Sequence, residues 1–199
     1  MRTYVIHRPG IAVGAADLDA ALMRLRSFEE KPAALPARWM HSYALREADG
    51  RFGLACVFQA DSVQTLERHA ARTGLPAREI LPVAATLAVR PFAPTRVHLV
   101  RRRSFWHSAA ELDRSAALAR RVADEQMPRE VSGLHTYAVD EGDGTLGTVC
   151  LYQAVDAQAL REHAIRVGMP ADEILPVIGR VVFRDDATLP PSFSNAVPT

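Results

Sequence analysis

Apolar and polar positions along this chain follow two rhythms, one of period two and one near 3.6, and they do so in the same order twice. Thr3 to Arg8 and Val97 to Arg102 are short β-prone runs that predict strands. Ala16 to Glu30 and Ala110 to Glu125 place Leu18, Leu22 and Leu25, and Leu112, Leu118 and Val122, at helical spacings, with Asp17 and Glu111 in the first turn. Met40 to Glu47 and Phe52 to Ala60 flank Asp49-Gly50, a hairpin signal that Asp143-Gly144 repeats. Ser62 to Arg72 and Asp156 to Arg166 read as helices opened by Ser or Asp caps and stopped at Gly74 and Gly168. Glu79 to Val89 and Glu173 to Phe183 return as strands, and Pro82 and Pro176 limit them to an edge or a bulged start.

The order is βαββαβ, twice. Met40-His41-Ser42-Tyr43-Ala44 reappears as Leu134-His135-Thr136-Tyr137-Ala138, an offset of 94 residues that also carries Cys56 onto Cys150, His69 onto His163 and Gly74 onto Gly168 without a gap. Each copy is long enough to hold its own core, which predicts a duplicated ferredoxin-like α+β domain over residues 1–93 and 94–186, with a boundary near Pro91-Phe92-Ala93-Pro94 and an irregular Pro/Ser-rich tail over 187–199. A βαββαβ sheet carries both helices on one face and leaves the other bare. Two such faces in one chain can cover each other, so the expected architecture is an intrachain pseudo-dimeric α+β barrel. The bare faces are expected to hold His41, Tyr43, Cys56 and Phe58, and His135, Tyr137, Cys150 and Tyr152, because alternate strand residues share a side.

Composition narrows the function classes. The chain is 48% hydrophobic and 24% charged, and 24 basic against 23 acidic residues leave a net charge of +1, so no global field draws it to nucleic acid or an anionic membrane. No segment approaches the ~18 apolar residues of a membrane span, and the N-terminus lacks a secretory h-region, which makes the cytoplasm the expected location. Cys56 and Cys150 are the only cysteines, and each lies in an apolar run, as expected of two buried thiols in a reducing compartment rather than a disulfide.

Candidate chemistry rests on His41/His135, Cys56/Cys150 and His69/His163, the soft metal-capable side chains at matched positions in both copies. Imidazole and thiolate together suit zinc, nickel or copper. A turn centred on Asp49-Gly50 would set position 41 opposite 58 and 43 opposite 56, making His41 and Cys56 diagonal neighbours on one face. Against this stands the plainer reading that such a Cys is a small hydrophobe, such a His bonds a backbone carbonyl, and Tyr43 and Tyr137 are core aromatics. Arg101-Arg102-Arg103 reads as a solvated strand end. No nucleophile–base arrangement or carboxylate pair stands out, so the chain reads as a non-enzyme more than as an enzyme.

At these residues the chain resembles the ferredoxin-like proteins grouped as domain of unknown function 4242, which include a nickel-binding member. That family's pattern is a strand ending Glu-Arg, then W-x-H-S-Y, a hairpin, C-x-Y-x-A and a helix ending E-H-A before G-x-P. Here it reads Trp39-Met40-His41-Ser42-Tyr43, Cys56-Val57-Phe58-Gln59-Ala60, Arg68-His69-Ala70 and Gly74-Leu75-Pro76, then Leu134-His135-Thr136-Tyr137, Cys150-Leu151-Tyr152-Gln153-Ala154, Glu162-His163-Ala164 and Gly168-Met169-Pro170. The resemblance implies a ferredoxin-like dimer fused into one chain, with nickel or another transition metal near the sheet. The sequence departs from the pattern at His7 and Arg101, which replace the acidic residue, at Gly133, which replaces the tryptophan, and at Phe58. If the acidic residue helps hold the ion, the second copy should bind it worse.

Three functions remain open on the sequence: a metal-binding protein, an enzyme or carrier holding a small apolar molecule in the barrel cavity beside Tyr43 and Tyr137, and an interaction module using a sheet edge. The expected assembly is a monomeric pseudo-dimer or a homodimer.

Overall fold

The computed structural model describes residues 1–30, 36–88, 96–182 and 184. The expected boundary at Pro91–Pro94 and the tail over 187–199 lie outside them. The chain is α+β, with eight strands and four helices among the described residues: β1 (Arg2–Ala12), α1 (Ala15–Glu29), β2 (Ala37–Arg46), β3 (Phe52–Ala60), α2 (Val63–Thr73), β4 (Glu79–Ala88), β5 (Arg96–Trp106), α3 (Ala109–Gln126), β6 (Val131–Asp140), β7 (Leu146–Ala154), α4 (Ala157–Val167) and β8 (Glu173–Val182). The βαββαβ order thus occurs twice.

The helices begin and end where the side chains dictate. Ser62 accepts a hydrogen bond from the Thr65 backbone N–H, and Asp156 does the same for Ala159, each satisfying a donor that has no partner within its helix. Gly74 and Gly168 close these helices in the left-handed region, at φ 63° and 65°, where a Cβ would be strained.

The chain divides into two compact units. The first comprises Met1–Val83 with the end of β8, from Ile178. Its sheet runs β4-β1-β3-β2, all antiparallel, and the end of β8 lies beside β2, where the Arg184 backbone N–H donates to the Met40 carbonyl at 2.9 Å. The β1–β4 ladder reaches Pro82 opposite Tyr4, and Pro82 has no N–H to extend it. Leu18 and Leu25 of α1 and Leu66 of α2 pack on Ile6, Leu54, Cys56 and Phe58, with Ile178 and Val181 of β8 against the same cluster.

The second unit covers Ala84–Val177. Its sheet runs β8-β5-β7-β6, with the end of β4 beside β6. Leu160 of α4 packs on Val100, Cys150 and Tyr152, while Leu112 and Ala119 of α3 pack on Trp106 and Ala138. Each unit therefore takes the end of its last strand from the other repeat.

Candidate functional site

The hairpin register separates residues that the sequence had placed together. Glu47 N–H donates to the Arg51 carbonyl, so the loop is Ala48-Asp49-Gly50, with Gly50 at φ 82°, three residues long and not two. Ser42 consequently faces Cys56 across the ladder, Tyr43 faces Ala55 and His41 faces Val57; an extra residue between Trp39 and His41 shifts the pairing again. A one-residue shift turns a side chain to the other face of the sheet. Cys56 and Phe58 therefore join the core under α1 and α2, while His41 and Tyr43 lie on the opposite face; the expectation that all four share the bare face is corrected. The second repeat has the same geometry, with Thr136 opposite Cys150, His135 opposite Leu151 and a bulge between Gly133 and His135.

On the face away from the helices, His41 and His135 are 0% and 1% exposed. Each imidazole meets the tyrosine two residues along its own strand edge-on: His41 and Tyr43 at 5.3 Å between ring centroids, His135 and Tyr137 at 4.4 Å.

The helix face holds a different chemistry. Arg8 and Arg102, at matched positions in β1 and β5, are 0% and 2% exposed. Arg8 donates to the Leu75 carbonyl, and the Arg102 guanidinium lies 3.4 Å from the Cys150 sulfur and 5.7 Å from the centre of the Tyr152 ring. Burial pushes the Cys56 thiol up, outweighing the opposite pull of Arg8 and Ser42, so it stays protonated. His69 sits between Phe28 and Phe58, each at 4.9 Å, with Nε2 3.4 Å from Glu29. Glu29 also accepts from the Trp39 backbone N–H and from Arg184. Burial alone would raise the Glu29 carboxyl, but these donors together hold it below its usual range. His163 has no such carboxylate; its Nε2 is 3.0 Å from the Ala119 carbonyl, and burial, with Arg102 and Arg166 adding to it, holds its imidazole below its usual value.

The arginine run is not a solvated strand end, and that expectation is corrected. Arg101 makes a two-point ion pair with Glu141, both contacts at 2.8 Å, and is 3% exposed; Arg102 is buried; Arg103 pairs with Glu173 at 2.7 Å. An arginine in such a charged run looks solvated in sequence, but Glu141 reaches back from the next hairpin to pair Arg101. His7, at the matched position, has Glu47 at 3.7 Å.

These placements test the fit of a metal. Among the described residues, no three His, Cys, Asp or Glu side chains gather into a group that could hold one. A guanidinium beside the thiol on the helix face opposes a second cation there, so Cys56 and Cys150 do not fit as ligands. Both cysteines are free thiols. The imidazoles of His41 and His135 remain chemically suited donors.

The second unit also has a small pocket between its sheet and α3, with a cavity volume of about 50 Å³. Arg102, Gly133, Thr148, Tyr152 and Arg120 line it. The signal for it was present in the repeat comparison, where Gly133 answers to Trp39.

Residues 99–177 match the family model described as nickel responsive protein SCO4226-like. No curated protein matches the chain. Solved structures similar to it include an anthrone oxidase-like protein, at TM-score 0.47 and 12% identity over 91% of this chain and 93% of that one. A putative monooxygenase from Lactobacillus acidophilus NCFM aligns at TM-score 0.46 and 7% identity over 90% and 94%, and putative chlorite dismutase TA0507 at 0.45 and 12% over 89% and 94%. No helix among the described residues is long and apolar enough to cross a membrane.

Proposed function

We propose that this protein is a non-catalytic, cytoplasmic binder of a divalent transition metal, nickel first, arisen by duplication of a module spanning residues 1–93 and 94–186. The observation that carries the reading is the nickel-responsive family match over 99–177, a segment that contains His135 and Tyr137. The first repeat has His41 and Tyr43 at the same positions and in the same edge-on pairing. Imidazole nitrogen suits nickel, copper and zinc, and removal from water strengthens a metal–ligand bond relative to competing hydration. The two tyrosines fix the imidazole rings and serve as cofactor-side contacts. His69 and His163 fit the role less well, since Glu29 and the Ala119 carbonyl already engage them.

Calorimetry with nickel, zinc and copper, on protein purified without chelator or affinity metal, tests this. The His41→Ala/His135→Ala double variant should lose binding, whereas Cys56→Ser/Cys150→Ser should keep it. Equal binding by wild type and the double-histidine variant would remove those residues from the site.

A further inference from the structure

We infer that Cys150 is a site of oxidation by hydrogen peroxide, which the small cavity of the second unit admits and orients, and that Cys56 is its closed counterpart. The two thiols occupy matched positions and differ in their surroundings. Cys56 is 0% exposed and packs in one cluster with Trp39 and Leu54. Cys150 lines the cavity under α3, where Gly133 stands for Trp39 and Thr148 for Leu54. Trp106 refills part of what the smaller side chains vacate, and about 50 Å³ remains. A water needs roughly 10–15 Å³ of such space, so the cavity holds a few water-sized molecules and excludes anything much larger than a peroxide. Arg120 of α3 belongs to the lining and is itself exposed, so the cavity reaches solvent.

The lining suits a peroxide at the sulfur. Thr148 and Cys150 are two residues apart on β7 and both line the cavity; the Thr148 side chain is 2% exposed, and its hydroxyl has no hydrogen-bond partner among the described residues. Across the ladder from Thr148 stands Arg102, whose guanidinium lies 3.4 Å from the Cys150 sulfur and also bonds Tyr152. A hydroxyl that both donates and accepts can hold a neutral HOOH molecule, and a guanidinium stabilises negative charge developing on the sulfur and on the departing oxygen. In the step, the sulfur attacks one peroxide oxygen: an S–O bond forms, the O–O bond breaks, and the thiol proton ends on the departing oxygen, which leaves as water. Sulfur gives up two electrons and becomes a sulfenic acid, and the peroxide gains them. The second unit contains no other cysteine, so this acid meets no thiol within its unit and stays a one-oxygen mark until a small external thiol reduces it.

Exposing the full chain to hydrogen peroxide with a chelator present, then unfolding it in dimedone and iodoacetamide, lets peptide mass spectrometry read each cysteine separately. Cys150 should be oxidised about tenfold faster than Cys56, and tert-butyl hydroperoxide, too bulky for the cavity, should lose that preference. Thr148→Val, which keeps the shape and removes the hydroxyl, should slow oxidation of Cys150 by about tenfold, and Thr148→Ser should restore the rate, with circular dichroism checking both folds. The two comparisons on the parent chain decide the matter should Thr148→Val not fold. Equal rates at the two cysteines, an unchanged preference with tert-butyl hydroperoxide, or a folded Thr148→Val variant as fast as the parent would each overturn the proposal.

Discussion

The two repeats share a fold and differ in how they fill it. In the first, Trp39 closes the space between sheet and α1, its indole N–H donating to Ser42 at 2.8 Å and its backbone N–H to Glu29 at 3.0 Å. In the second, Gly133 stands at that position, Trp106 fills much of the region from β5, where the first copy has Ala12, and Ala123 replaces the glutamate. The first copy closes its core with a tryptophan on β2 beside a buried ion-pair network, and the second with a tryptophan on β5 that leaves a small cavity.

The sharpest test of this contrast is to exchange the two residues. Trp39→Gly should destabilise the protein by about 3–5 kcal/mol in urea unfolding, the range for emptying a large aromatic site, whereas Gly133→Trp, with Trp106 already in that region, should cost about 1–3 kcal/mol by overpacking. A Gly133→Trp variant as stable as the parent would show instead that the two copies are interchangeable at this position. Glu29→Gln comes next: it weakens the contacts to His69 and Arg184 and should cost about 2–3 kcal/mol, while Ala123→Gln has no network to disturb and should cost less. The capping substitutions Ser62→Ala and Asp156→Ala should each cost about 1 kcal/mol, a matched pair in which the copies behave alike.

The smallest effect is the pH profile. His163, and His98 through burial, have folded-state values below the usual one, so the unfolded chain takes up protons first and stability falls as pH drops through about 6.5. Glu29 works in the other direction: its lowered value stabilises the fold above its usual 4.5, and that contribution is lost as pH falls further toward the folded-state value. Thermal unfolding from pH 8 to pH 3 should show the first decline flattened by His163→Gln and the second by Glu29→Gln.

Much of the fold was legible because it rests on local signals. Ser62, Asp156, Gly74 and Gly168 mark helix ends by backbone chemistry that needs no tertiary context, and the offset of 94 holds from β1 through β8. The faces were not legible, because Asp-Gly serves both two- and three-residue hairpins, and one residue decides which side Cys56 points to. The buried arginines are illegible for another reason: charge in sequence reads as solvent exposure until a partner from a distant hairpin, such as Glu141, meets it.

The traded ends of β4 and β8 bear on how the gene can be cut. A fragment stopping before residue 94 would lack Ile178, Val181 and Arg184, and with them a wall of its own core and a cation on Glu29. Two such halves produced side by side should recover native spectra by complementation, where either by itself stays partly molten.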